Sequence, residues 1–370
     1  MMNHTATPTG RRPFAALKPL ALLALLSIPL AAQAQTDDEK RAAMNAAYRQ
    51  YQELVAQGPQ FRDQAIEPAR EAYELALEVL GEAHQTTAAL ALNYGNVIRD
   101  GDDAAEILEH ALEISENVHG EDALALVDPL MALGDSATAN SEFADARGHY
   151  LRAYELARNQ EPRDPFLEAI IGIQLGTTYF SLDQRDDARE SWQAARASLE
   201  PIDNDIARYR LATANFWIGR LEMSQGSYLA AIAPLTAAAE VFDRFPEARP
   251  FSVNAHIALA EAFERQDQRA EATPHVLIVG QGNATPTLIY RREFPHELAS
   301  EGAVNLQFDV DAEGFVTNVR VTDDDADAEL AAAATEAVTG LRYAPRFENG
   351  AAVATADVSY EFSFSRMPRR

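Results

Sequence analysis

Cysteine is absent from all 370 residues. That absence excludes disulfides, thiolate metal sites, cysteine nucleophiles and a lipid-modified lipoprotein N-terminus. Positive charge is scarce: 31 Lys and Arg stand against 57 Asp and Glu, a formal net charge of -26. Such a chain repels phosphate backbones and anionic lipid, which argues against nucleic acid and membrane surfaces as partners. No segment beyond the N-terminus is apolar enough to span a bilayer. The familiar chemical signatures are also missing: no G-x-S-x-G, H-E-x-x-H, P-loop or G-x-G-x-x-G occurs. The eight histidines are scattered. His110 and His119 do not share a helix face and read as ordinary surface or core residues. Asp309-Val310-Asp311-Ala312-Glu313-Gly314 mimics the start of a calcium loop, but Arg320 stands at the twelfth position, where a bidentate glutamate is needed. Asp186-Asp187 and Asp323-Asp324-Asp325 read as helix starts. The expectation is a non-enzyme with no catalytic residue, no cofactor and no metal site.

What is present begins with an address. Residues 1–34 combine a basic stretch (Arg11, Arg12, Lys18), an apolar run from Leu20 to Leu30, and the small-x-small motif Ala32-Gln33-Ala34 before Gln35. This is the layout of a cleavable signal peptide, cut between Ala34 and Gln35. The run is short for a membrane span and is interrupted by Pro29. An uncleaved inner-membrane anchor is the alternative. Losing residues 1–34 leaves the chain still more acidic.

Residues 35–275 read as helical repeats. Apolar residues recur at helical spacing, as in Met44, Ala47, Tyr48, Tyr51, Leu54 and Val55. Gly58-Pro59, Gly101-Asp102, Gly120, Pro162, Gly226 and Pro246 punctuate the pattern. An alanine is expected to open the second helix of each unit at Ala69, Ala104, Ala146, Ala188, Ala231 and Ala272. Ala76, Ala111, Ala153, Ala195 and Ala238 follow the first five at seven residues. Leu133-Gly134, Leu175-Gly176 and Ile218-Gly219 repeat in the preceding helices. Small residues at such spacing let two antiparallel helices approach closely, and each hairpin then stacks on its neighbour. Leu175-Gly176-Thr177-Thr178-Tyr179 fits the L-G-x-x-Y element, and the array resembles tetratricopeptide repeats of the longer, kinesin-light-chain type. Five to six units are expected, against a generic α-solenoid as the alternative. Pro68 and Pro234 fall awkwardly inside predicted helices, and Pro274 is expected to end the array. Residues 276–286 then form a linker, with Gly280-Gln281-Gly282 and Pro286 in it.

Past the linker the period becomes two. Val304, Leu306, Phe308 and Val310 alternate with polar residues. The turn Asp311–Gly314 leads to a second strand at about 315–322, a helix follows at about 326–339, and a last strand covers 353–364. Val358, Tyr360, Phe362 and Phe364 are expected on one face of it, and Thr355, Asp357, Ser359 and Glu361 on the other. Residues 287–366 resemble the C-terminal domain family of TonB. The resemblance is carried by Tyr290, Phe294-Pro295, the strand Gly302–Val310, the turn Asp311-Ala312-Glu313-Gly314-Phe315-Val316, Ala333–Ala337, Leu341-Arg342-Tyr343-Ala344-Pro345, Asn349-Gly350 and Tyr360–Phe364. The overall expectation is an α-solenoid of tetratricopeptide-like hairpins followed by a small α+β domain of ββαβ order, opened by a short helix.

The resemblance implies a periplasmic setting and a terminal strand that accepts an extended segment of an outer-membrane transporter as an added strand. Thr355, Asp357, Ser359 and Glu361 are the candidate partner-binding residues on that strand. They equally fit the solvated face of a half-buried strand. Energy transducers of the family carry a membrane helix and usually a proline-rich spacer, where this chain carries a leader and repeats. Two readings follow: a periplasmic adaptor serving outer-membrane transporters or other envelope proteins, or an envelope-assembly scaffold whose repeats bind and whose C-terminal domain docks. Neither needs nucleic acid or a membrane-spanning mature form, and no oligomeric state is set.

Overall fold

The computed structural model describes residues 30–98, 102–292 and 302–364. The leader's charged and apolar parts, residues 1–29, lie outside the described residues, as do Gly101 and Phe294-Pro295. Helix α1 (Leu30–Ala56) includes the backbone of Ala32, Ala34 and Gln35. It pairs with α2 (Arg62–Leu80), and five more hairpins follow: α3 (Gln85–Ile98) with α4 (Asp102–His119), α5 (Val127–Ala139) with α6 (Phe143–Arg158), α7 (Pro165–Ser181) with α8 (Arg185–Leu199), α9 (Asp205–Ser224) with α10 (Tyr228–Phe242), and α11 (Arg249–Arg265) with α12 (Arg269–Gly280). No helix among the described residues is long and apolar enough to cross a membrane.

One packing device repeats along the array. Gly95, Gly134, Gly176 and Gly219 sit in first helices, opposite Leu108, Tyr150, Trp192 and Leu235 of the second helices. A Cβ at any of the four glycines would fall under 3.0 Å from that opposing side chain. Each large side chain lies four residues after the repeat alanine, so small and large alternate along the contact. The alanines are buried in every unit, and so are Leu108, Tyr150, Trp192 and Leu235. Polar anchors fix the two aromatic members. The Trp192 indole donates to the Ile173 carbonyl at 3.1 Å, and the Tyr150 hydroxyl donates to Asp135 at 2.5 Å.

The structure adjusts three expectations. Ala104, Ala146, Ala188, Ala231 and Ala272 stand in the first turn of their helices, but α2 starts well before Ala69. Pro68 and Pro234 lie inside continuous helices, because one lost backbone bond is offset by packing of the whole hairpin. Pro274 does not end the array: α12 runs through it to Gly280, so the connecting segment is shorter than 276–286.

The C-terminal domain holds β1 (Thr287–Arg291), β2 (Gly302–Val310), β3 (Val316–Val321), α13 (Ala328–Thr339), β4 (Leu341–Ala344), β5 (Arg346–Glu348), β6 (Ala351–Val353) and β7 (Thr355–Phe364). Tyr290 lies on a strand, β1, antiparallel to β4, which was not expected. Residues 293–301, between β1 and β2, lie outside the described residues, and with them the expected short opening helix. The main sheet has the order β3-β2-β7, and β5-β6 is a separate small hairpin turning at Asn349-Gly350. Its core is the expected alternating face, Val304, Leu306, Phe308 and Val310, closed by Leu330, Ala334 and Val338 of α13 and by Phe362. The cap of α13 is Asp327, whose carboxylate accepts from the backbone N–H of Glu329 and Leu330. Asp323, expected at the helix start, instead accepts from the Asn305 backbone at 2.7 Å and ties the loop to β2.

Gly176→Ala drives a methyl into an indole held by its own hydrogen bond, and should destabilise the fold by about 1–3 kcal/mol. Gly148→Ala, in a helix where a Cβ meets nothing within 4 Å, should stabilise it by about 0.5–1 kcal/mol. Denaturant unfolding of both variants checks the pair. Equal effects would show that the glycine notch is not the packing determinant.

Candidate protein-interaction site

The middle strand β2 organises both of its neighbours through one side chain. On β3, Arg320 pairs with Gln307 and Thr317 with Asp309, so Asn318 and Val319 together face Phe308. On β7, Val358 pairs with Phe308 and Thr355 with Val310, so Ala356 and Asp357 together face Asp309. Both are β-bulges, and each contains a non-glycine residue in the left-handed region, Asn318 at φ 51° and Asp357 at φ 57°. Asp309 holds both. Its Oδ2 accepts from the Asn318 amide at 2.7 Å, and its Oδ1 accepts from the Asp357 backbone N–H at 3.0 Å. Arg320 bridges to Asp357 at 2.5 Å and to Asp309 at 3.8 Å. The Asn318 amide first, then the Asp357 N–H and Arg320, hold the Asp309 carboxyl below the ordinary carboxylate range. The calcium-like run is thus a structural corner. Asp309 clamps the bulges, and Asp311 accepts from the N–H groups of Glu313 and Phe315 to shape the turn.

The bulge corrects the predicted face of β7. Asp357, Ser359 and Glu361 are exposed. Thr355 is not with them, because it pairs with buried Val310 across the bulge and is half-buried. Its Oγ1 is shielded and makes no hydrogen bond among the described residues. Asp357 is already engaged by Arg320 and Asp309. The open part of the strand is therefore Val358–Phe364, where Ser359 and Glu361 face water and Tyr360 and Phe362 face the core. Phe364's side chain lies outside the described residues. Among the described residues β7 is paired only with β2, which leaves its outer edge without a strand neighbour. Arg291 of β1 donates to the Tyr360 hydroxyl and lies 5.7 Å from the ring centres of both Tyr360 and Phe362.

The other side of the domain is seated on the last hairpin. Arg342 of β4 and Glu264 of α11 have side-chain exposures of 0% and 2% and pair at 2.8 Å. Arg342 also donates to Thr273 of α12 at 2.5 Å, and its guanidinium lies 3.5 Å from the centre of the Phe315 ring. Arg269 completes the group, pairing with Glu264 at 3.1 Å. Burial pulls the Arg342 guanidinium below its ordinary range, and Glu264 opposes that pull. Gly314 sits at φ 92°, where a Cβ would overlap the Tyr343 carbonyl. The Phe347 N–H donates to Asn283 at 2.9 Å, and Arg292 pairs with Asp267 at 3.2 Å.

Beneath this junction lies a histidine pair that sequence spacing did not reveal. His256 of α11 and His275 of α12 meet Nδ1 to Nδ1 at 2.8 Å. His256 Nε2 faces Asp243 at 3.2 Å, and the Ser252 hydroxyl donates to Asp243 at 2.6 Å. Burial first, then His256, holds His275 down to about 4. No group of three or more potential ligands capable of holding a metal occurs among the described residues. His110 bonds to the Tyr73 hydroxyl at 2.5 Å, and His119 is exposed. In the repeats, a cleft of about 250 Å³ lies between α6, α7 and α8, lined by Tyr154, Arg158, Glu168, Gly172, Glu190 and Ser191 among others.

Comparison with known proteins agrees with this division. Residues 294–365 match the family model described as Gram-negative bacterial TonB protein C-terminal, and residues 93–159 match that of the tetratricopeptide repeat. Both families are protein-interaction modules. No curated protein matches the chain. Among solved structures, a putative kinesin light chain of Podosopora anserina with nearly identical TPR-like repeats is 13% identical, covering 57% of this chain and 98% of its own, at TM-score 0.45. BtubC (BKLC) from P. vanneervenii is 15% identical, covering 71% and 96%, at TM-score 0.45. Aspartyl phosphate phosphatase F from Bacillus subtilis is 17% identical, covering 60% and 55%, at TM-score 0.45.

Glu264→Ala strands Arg342 as a buried cation and should cost about 3–5 kcal/mol. Faster proteolysis within residues 281–286 is the expected readout, and an unchanged rate would show that the pair does not hold the junction. His275 makes a second prediction. Its folded pKa lies below the ordinary 6.5, so its stabilisation is complete above 6.5 and is lost as pH falls toward about 4. Urea unfolding across that window should show falling stability, with a shallower fall in His275→Gln. An identical fall in the variant would assign the loss to other groups.

Proposed function

We propose that this chain is a periplasmic TonB-like protein-interaction adaptor, exported with a leader removed between Ala34 and Gln35. The β7 edge accepts an extended segment of an outer-membrane transporter, or of another envelope protein, as an added strand, and the repeats hold a second partner. One observation carries the reading: in a domain that matches the TonB C-terminal model, β7 is paired on one side only among the described residues, and its open stretch is Val358–Phe364. Backbone N–H and C=O groups on such an edge supply affinity, and alternate side chains supply selection. Repeats in turn present an extended surface along which a second chain can lie.

A specific observation favours a second reading. The domain's own motif residue Arg342 is consumed in seating it on α11 and α12, so the domain is built as the end piece of the repeat array. In that reading the chain is an envelope-assembly scaffold, and the binding surface is the repeats, with the cleft between α6, α7 and α8 as a candidate part of it.

Hydrogen exchange on the full mature chain separates the two. The adaptor reading expects added protection confined to about 358–364 when peptides from the plug-proximal N-termini of outer-membrane transporters are supplied. Protection on α6–α8 instead favours the scaffold, and no protection of β7 at millimolar peptide overturns strand addition.

A further inference from the structure

The sheet's wet face is electrically closed at one end and open at the other. At the bulged end, Asp309 and Asp357 share Arg320, and Asn305, the cross-strand partner of Glu361, is already bonded to Asp323. At the open end stands Glu361. It accepts from the Ser363 hydroxyl at 3.3 Å and belongs to no ion pair among the described residues. On the opposite face of the same stretch stands Arg291. It stacks on Tyr360 and Phe362 and likewise meets no carboxylate among the described residues. The edge therefore offers one unpaired anion on the water side and one unpaired cation on the aromatic side, one strand position apart.

We propose that Glu361 and Arg291 are the selectivity determinants of the β7 edge, and that the segment it takes is an extended stretch of a partner protein carrying a basic residue directly beside an acidic one. The inference rests on the strand-addition reading and specifies its partner. Successive residues of an added strand point to opposite faces. When the residue opposite Glu361 is Lys or Arg, its neighbours in the chain lie beside Tyr360 and Phe362, where Arg291 receives an Asp or Glu. The bulge bounds the pairing. The ladder breaks at Ala356–Asp357, so an incoming strand pairs only with the stretch beyond it, which Glu361 centres.

The test uses the full mature chain and two fluorescent peptides of identical composition and Thr/Val-rich extended sequence. One carries Lys next to Glu at its centre, and the other has those two residues exchanged within a single fixed register set by a proline at one end. Cross-strand charge pairs contribute about 0.2–1 kcal/mol each, so the matched peptide should bind about 3- to 10-fold more tightly at low salt, with the ratio shrinking as salt rises. In Glu361→Arg, at an exposed position, the preference should vanish, because exchanging the two peptide charges then gains beside residue 361 what it loses beside Arg291; an undiminished preference overturns the role of Glu361. Equal binding of both peptides to the unsubstituted chain, protecting 358–364, overturns the charge selection and leaves strand addition standing. Binding of neither overturns strand addition and this proposal together.

Discussion

Close approach of two helices is the constraint on which this molecule rests. Without cysteine, no disulfide can hold the chain, and packing between antiparallel helices requires that something small meet something large. The glycine of each first helix and the buried Leu, Tyr or Trp of each second helix satisfy that requirement four times over. Because each hairpin leaves an apolar face uncovered, the next hairpin must follow at the same offset, and the array grows until a different element closes it. Here that element is the C-terminal domain.

The closure is made with charge. A guanidinium removed from water is costly unless it is paired: Glu264 and Thr273 accept from the two terminal nitrogens of Arg342 and the Phe315 ring lies against its face, while its buried Nε makes no hydrogen bond among the described residues. Such a pair adds little net stability compared with apolar packing, but its hydrogen bonds are made only when the two bodies meet with Arg342 against Glu264 and Thr273. The β7 edge is thereby presented at a set angle to the repeats, and β1 runs from the junction, through Arg291, to the rings of that edge. A ligand on one part therefore meets a surface already positioned by the other.

Much of this was legible in the residues. The spacing of alanines and of Leu-Gly pairs located the hairpins, since helix crossings demand small residues at a regular interval. Alternation of Val304, Leu306, Phe308 and Val310 located the central strand, since a half-buried strand has a period of two. What failed to show were features depending on contacts across the chain. Nothing local marks the bulge at Ala356–Asp357, because its cause is a carboxylate on another strand, and so Thr355 was assigned the wrong face. The His256–His275 pair spans two helices, and Arg342 read as one letter of a motif although its partner lies far earlier in the sequence. Pro274 was taken as a helix end because proline removes a backbone donor, but an exposed position in the first turns of α12 accommodates that loss.

The placement of Glu361 bears on how the protein avoids itself. A one-sided edge strand is the usual point at which two copies of a chain join sheet to sheet. Two β7 strands meeting about a twofold axis would centre on the middle of the open stretch, and each Glu361 would face its own copy. Like charges directly opposite one another disfavour that pairing. A carboxylate at the centre of an open edge thus guards the strand against its own copy while leaving its backbone groups free to pair with a different sequence.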